Sequence, residues 1–202
     1  MKRNNKLNKA NAYRLSQEVL RNKALSRGVN LIAPETIFLS NDTTFGKNVT
    51  VEPYVVFGPK VKIGDKSYIK SFSHIEGTEI KKNVIVGPYA RLRSGTILDN
   101  NTKVVNFVET KKTNIGINSK VNHLSYIGDA DVGSEANIGA GTITCNYDGV
   151  FKHKTEIGAR ACIGSNTMLV APVRVGMDAM TGSGSIITKD VPDEALGLGR
   201  AK

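Results

Sequence analysis

Tryptophan is absent from this 202-residue chain, and Phe and Tyr number only six each. A core of stacked large rings is therefore not expected. Val, Ile, Gly, Thr and Ser must fill the interior, a mixture that favours strands and turns over helices. Cysteine is nearly missing as well. Cys145 and Cys162 are the only two and have no metal-ligand spacing, which suits a reducing compartment better than a disulfide framework. No stretch approaches the ~20 apolar residues of a membrane span. The basic N-terminus leads into Leu15-Ser16-Gln17-Glu18, not into the apolar core of a signal peptide. A cytoplasmic protein, neither inserted in nor attached to a membrane, is expected.

Acidic residues are also in short supply, 18 against 28 Lys and Arg, for a formal charge of +10. The imbalance is concentrated at the start. Residues 1–27 carry eight basic side chains opposed only by Glu18, which accounts for +7 of the total. A solvated basic helix explains this. Binding to nucleic acid would need aromatic platforms or a groove-reading motif, and neither is visible, so no nucleic-acid partner is expected. The mildly basic remainder suits anionic ligands such as sugar phosphates and coenzyme A.

What is present divides the chain near residue 33. Ala12, Leu15, Val19, Leu20, Ala24 and Leu25 recur at three- and four-residue spacing, which predicts a helix over 6–26. Gly28 supplies a stop and Pro34 prevents quick resumption. Residues 1–33 thus read as a helical arm and 34–202 as a second, different unit.

In that second unit the period becomes six. Phe45, Val51, Phe57, Ile63, Ile69 and Ile75 form one register, and Val86, Leu92, Leu98 and Val104 a second. Ile115, Val121 and Ile127 form a third, and Val132 and Ile138 a fourth. The last runs Ile157, Ile163, Leu169, Val175, Thr181 and Ile187, with Thr181 in an apolar slot. Small residues follow many of these positions, Gly46, Gly58, Gly64, Gly158 and Gly164 among them. A hexapeptide period with small neighbours is the signature of a parallel β-helix. Three hexads per coil and roughly 4.8 Å per coil give about eight coils over 37–190 and a prism roughly 40 Å long. The pattern fails between Thr144 and Glu156, a polar excursion of the kind where function concentrates.

Candidate chemistry gathers near that excursion. A zinc site would need closely spaced imidazoles, but His74, His123 and His153 lie 49 and 30 residues apart, so no metal is expected. His123, with Tyr126 close behind it, is followed within one coil by Asn137, and then by the loop with Asn146, Tyr147 and Lys152. Arg91, Arg93, Lys111 and Lys112 lie just upstream. Consecutive coils therefore offer phosphate-binding cations, a base of neutral range and hydrogen-bonding amides and hydroxyls. No P-loop or dinucleotide fingerprint competes.

Residues 86–200 resemble the acetyltransferase domain of the bacterial bifunctional N-acetylglucosamine-1-phosphate uridyltransferase/glucosamine-1-phosphate N-acetyltransferase family. The segments that carry the likeness are Gly87–Arg93, Asn106–Lys112, His123–Ala130, Asn137–Gly149 and Leu169–Val173. Arg27-Gly28-Val29 and Pro34 are similar to the family's interdomain arm and the start of its β-helix. The resemblance implies a left-handed β-helix that forms a homotrimer with sites between neighbouring prisms. It also implies acetyl transfer from acetyl-CoA to glucosamine 1-phosphate, feeding UDP-N-acetylglucosamine and hence peptidoglycan and lipopolysaccharide precursors.

By that resemblance His123 is the catalytic base, and Arg93, Lys111, Tyr126, Asn137 and Lys152 hold the sugar phosphate. Ala140, Asn146, Tyr147, Ser165, Ser183 and Arg200 fall where the family contacts acetyl-CoA. Ser183 stands where relatives often have Ala. The residue types suit the reaction, since an imidazole with pKa near ~6.5 can take the proton an attacking amine sheds. Two departures are expected to matter. Residues 1–36 are too short for the family's nucleotidyltransferase half, so no uridyl transfer is expected, and the chain ends two residues past Arg200. Two other readings stay open, a hexapeptide acyltransferase with a different acceptor and a non-catalytic β-helix used for assembly.

Overall fold

The computed structural model describes residues 3–199, which form one helix and a parallel β-solenoid. The helix α1 spans Arg3–Ser26. The solenoid begins at Asn30–Leu31, which pairs in parallel with Thr50–Val51. Its first strand thus lies ahead of Pro34, where the sequence pattern placed the division.

Each coil presents three short strands, one per face. Face 1 is a ten-stranded parallel sheet from Asn30–Leu31 to Leu196–Gly197. Its ten strands make about nine turns, slightly more than the hexad count suggests. Faces 2 and 3 merge into a fourteen-stranded sheet, because the seven-residue strands Glu109–Ile115 and Tyr126–Val132 run around the corner between them. Every strand pairs with residues a whole coil away, so sequence period becomes spatial column. Leu31, Val51, Ile69, Val86, Val104, Val121, Ile138 and Ile163 stack inward along face 1, each 5% exposed or less. Full burial of each such side chain contributes roughly 1.5–3 kcal/mol.

The broken registers of the sequence have one physical origin. From Val51 onward, the inward residue of face 3 lies six before that of face 1, and the inward residue of face 1 six before that of face 2. Between faces 2 and 3 the step varies. It is six from Phe57 to Ile63 and from Leu92 to Leu98, but five from Ile75 to Ile80, Thr110 to Ile115 and Ile127 to Val132. At Thr144 to Ile157 it is thirteen. All this variation lies on one edge of the prism. The five-residue corners turn through Gly77, Lys112 and Asp129, with φ of 53°, 44° and 47°.

Threonines fill several inward slots that the apolar pattern skipped. Thr110 and Thr144 are buried on face 2, and the Thr110 hydroxyl lies 3.0 Å from that of Thr96. Because the chain leaves the prism after Cys145, Gly128 lacks a full strand beside it. The Thr144 hydroxyl takes that place, accepting from Gly128 N–H at 2.8 Å and donating to Gly128 C=O at 2.9 Å.

The aromatic rings do stack, but outside. Tyr54, Phe72, Tyr89 and Phe107 form an exposed ladder on the edge between faces 1 and 2, with centroids 4.8 to 5.0 Å apart. Among the described residues only Phe45 and Phe57 meet within the prism, edge to face at 5.6 Å. The helix also differs from its sequence pattern. Ala12, Leu15, Val19 and Leu25 are exposed, and the residues turned to the solenoid include Gln17, Ala24 and, in part, Leu20 and Arg21, whose guanidinium donates to the Ile37 carbonyl at 3.3 Å. No described helix is long and apolar enough to cross a membrane.

Candidate active site

The predicted residues fall into two groups on opposite borders of face 2. The first lies on the strand side and on the variable edge. Arg93 follows the strand Arg91–Leu92, Lys111 sits in Glu109–Ile115, and Tyr126 opens the next strand. In-register pairing puts Arg91 beside Glu109, Glu109 beside Tyr126, and Lys111 beside Gly128. The Arg93 guanidinium donates to Glu109 at 2.8 Å, and that carboxylate raises its pKa further. Lys111 has no carboxylate at bonding distance among the described residues. The Lys152 ammonium beside it holds Lys111 below the ordinary lysine range; Arg93 adds to this and Asp129 opposes it. Three crowded cations are a standing invitation to an anion.

Tyr126 is placed by its neighbour. A Cβ on Gly128 would stand 2.6 Å from Tyr126 Cζ, so only glycine lets the phenol lie across the strand at that point. Asn146, nearly buried at the root of the excursion, donates to Asp129 Oδ2 at 2.5 Å and approaches the Tyr126 hydroxyl at 3.5 Å.

The excursion itself is a small hairpin. Tyr147 and Lys152 form an antiparallel bridge. Asp148 accepts from the backbone N–H groups of Val150 and Phe151 at 2.8 and 2.6 Å, and Gly149 supplies a φ of 101°. The His153 imidazole lies 2.6 Å from the other Asp148 oxygen. That partner first, then the two backbone donors, lowers the Asp148 pKa to about 2. Tyr147, Val150 and Phe151 are exposed at the tip.

The second group lies on the edge between faces 1 and 2. His123 occupies an exposed turn there. Its carbonyl accepts from Gly141 N–H at 2.9 Å, the Ala140 carbonyl from Asn166 N–H at 2.7 Å, and the Ser165 carbonyl from Gly184 N–H at 2.8 Å. These links stack His123, Ala140, Ser165 and Ser183 in one column, one per coil. Among the described hydrogen bonds none uses the Ala140 N–H. Asn137 sits on the adjoining face 1, where Asn122, the residue before His123, donates to its side-chain oxygen at 3.2 Å. Arg200 lies outside the described residues.

Sequence reasoning named the cations and the histidine but missed Glu109, Gly128 and Asp129. Glu109 stands two residues before Lys111, and Gly128 and Asp129 directly follow Ile127. No single-residue pattern marks them, because their partners come from neighbouring coils.

A family model for the bacterial transferase hexapeptide (six repeats) matches residues 42–77. The bifunctional protein GlmU of Jannaschia sp. (strain CCS1) is 60% identical over 178 residues, covering 88% of this chain and 39% of that protein. The bifunctional protein GlmU of Azorhizobium caulinodans is 57% identical over 199 residues, covering 98% and 44%. The chain therefore spans about two fifths of the length of these curated relatives. Among solved structures, LpxA from Acinetobacter baumannii superposes with a TM-score of 0.71 at 19% identity, covering 84% of this chain and 71% of its own. LpxA, a UDP-N-acetylglucosamine acyltransferase from Bacteroides fragilis, gives 0.67 at 20% identity, covering 78% and 68%. At those identities the likeness speaks for the fold alone.

Proposed function

Since the chain is homologous over nearly its whole length to the acetyltransferase part of the bifunctional GlmU proteins, we propose that it transfers an acetyl group from acetyl-CoA to the amine of glucosamine 1-phosphate. The observation that carries this reading is the cation cluster on face 2. Arg93, Lys111 and Lys152 converge beside Tyr126, offset in part by Glu109, Glu76 and Asp129. The planar Arg93 fork and two ammonium groups suit a phosphate monoester. Tyr126 and Asn137 offer hydroxyl and amide contacts to the sugar.

The acetyl-CoA contacts would be Ala140, Ser165 and Ser183 on the edge column, Asn146 and Tyr147 at the hairpin, and Arg200. His123 shares the column with Ala140 one coil away. In the reaction the amine nitrogen attacks the thioester carbonyl carbon. A C–N bond forms, the C–S bond breaks, His123 accepts the ammonium proton, and the departing thiolate takes a proton to leave as coenzyme A. The unused Ala140 N–H supports a role in stabilising the carbonyl oxygen as it gains charge. No step calls for a metal.

The proposed contacts straddle face 2, with the column on one border and the hairpin on the other. The length of a strand separates them, roughly 15–20 Å for the five or six residues that cross the face. That division favours a homotrimer in which one copy's column meets the neighbour's cation cluster and hairpin.

Thiol release from acetyl-CoA, with and without glucosamine 1-phosphate, tests the reaction. Acceptor-dependent release is expected, and Arg93→Ala should weaken glucosamine 1-phosphate far more than unphosphorylated glucosamine. Equal losses for both acceptors would make Arg93 structural. Release only with a UDP-sugar or an amino acid would replace the acceptor, and no release with any acceptor would favour an assembly module.

A further inference from the structure

We propose that Asp129 is a positioning residue that joins the two halves of the binding surface, holding Asn146 for acetyl-CoA and facing Lys111 on the acceptor side. The inference rests on the proposed acetyl transfer and adds a residue to it. Asp129 occupies the second tight corner in succession, after Lys112, with φ of 47°. Asp and Asn tolerate that left-handed conformation better than other non-glycine residues. The corner brings its carboxylate outward on the border where the hairpin departs. There it accepts from Asn146 Nδ2 at 2.5 Å, and the same amide reaches toward the Tyr126 hydroxyl at 3.5 Å.

Asn146 is only 8% exposed, so its orientation is set by these partners and not by solvent. Its backbone is fixed as well, since its carbonyl accepts from His153 N–H at 2.9 Å. Removing the carboxylate would free the Asn146 amide while leaving the hairpin's root attached. The second consequence is electrostatic. The charged groups facing Lys111 are Arg93 from the preceding coil, Lys152 from the hairpin and Asp129 from the following coil, with Glu109 two residues before it on its own strand. Of these, Lys152 and Arg93 lower the Lys111 pKa, and Asp129 opposes them. Loss of Asp129 therefore moves Lys111 deprotonation to lower pH.

Two variants separate these effects, both compatible with the left-handed corner. Asp129→Asn keeps an acceptor oxygen for Asn146 but removes the charge. Asp129→Gly removes both. The wild-type chain is first assayed with acetyl-CoA and glucosamine 1-phosphate, and absence of turnover there would overturn the proposed reaction itself. Given turnover, Asp129→Gly should raise the acetyl-CoA KM by roughly tenfold with kcat changed less than threefold, the signature of lost binding that is uniform along the reaction. Asp129→Asn should restore that KM to within about twofold of wild type. Both variants should shift the alkaline limb of kcat/KM for glucosamine 1-phosphate to lower pH. An acetyl-CoA KM that stays at the wild-type value in Asp129→Gly would overturn the Asn146 link. An unmoved alkaline limb in both variants would overturn the charge link. Parallel losses in kcat, both KM values and Tm, not rescued by Asn, would reduce Asp129 to a structural corner.

Discussion

At the scale of single residues, the proposed chemistry rests on one imidazole and on how charge is balanced around it. His123 stands on an exposed turn, and its coil-to-coil hydrogen bond to Gly141 is made by its carbonyl, leaving the ring free of a structural duty among the described contacts. His123→Ala should therefore leave Tm nearly unchanged while lowering kcat by roughly 10²–10⁴-fold, the usual range for a general base. A folded variant with near-normal turnover would remove the assignment. Asp148 gives a different pH test. Its pKa is lowered to about 2, chiefly by His153 and then by the Phe151 and Val150 N–H groups. A depressed carboxylate pKa means that the contribution is intact above the ordinary range near ~4 and is lost as pH falls from there toward the folded value. The protection of the Val150 and Phe151 amides, taken as exchange relative to the intrinsic rate at each pH, should fall across that window. In Asp148→Asn that protection should already be reduced above the ordinary carboxylate range near ~4 and should no longer change across the window.

At the scale of elements, the helix acts as a lid on an otherwise open sheet end. Gln17 Nε2 donates to the Leu39 carbonyl at 2.9 Å and Gln17 Oε1 accepts from Leu39 N–H at 2.8 Å. One amide thus imitates the missing strand of face 2, where an exposed edge would invite another chain. Gln17→Ala should destabilise the fold by about 1–3 kcal/mol, the cost of leaving a buried backbone pair unmet. Thermal melting against Gln17→Glu and wild type measures it, and a loss below experimental error would mean that water serves Leu39 equally well. This contact shows where sequence reading stops. The hexapeptide columns were legible because burial recurs at a fixed period, and the helix because its apolar spacing was visible. The side that faces the solenoid was not, since the anchoring residue is a polar Gln17 and the apolar Leu15 and Val19 point outward. The same holds at the site. Arg93, Lys111 and His123 could be named from residue type and resemblance, whereas Glu109, Gly128 and Asp129 matter only through partners a coil away.

At the scale of the whole molecule, every change in coil length falls on the border between faces 2 and 3, apart from the first coil. The opposite border, which holds the aromatic ladder and then the His123 column, keeps a constant step. A solenoid can insert or delete freely only where no continuous column must be maintained, so one border stays regular while the other carries the hairpin. The proposed ligand contacts use both borders, and a single prism holds them apart. A trimer resolves this if each site takes its column from one copy and its cation cluster from the next. That arrangement makes a prediction that no single-chain site shares. His123→Ala and Lys152→Ala copies, each nearly inactive alone, should regain activity when mixed in equal amounts under conditions that allow subunits to exchange. With random assembly, a working site needs its column from the Lys152→Ala copy and its hairpin from the His123→Ala copy. About one site in four meets that requirement, so recovery should approach a quarter of wild-type turnover. Light scattering on the same mixture checks that trimers have formed. Exchanged trimers with no recovery would place the histidine and the lysine in one copy, and a fully active monomer would remove the shared site altogether.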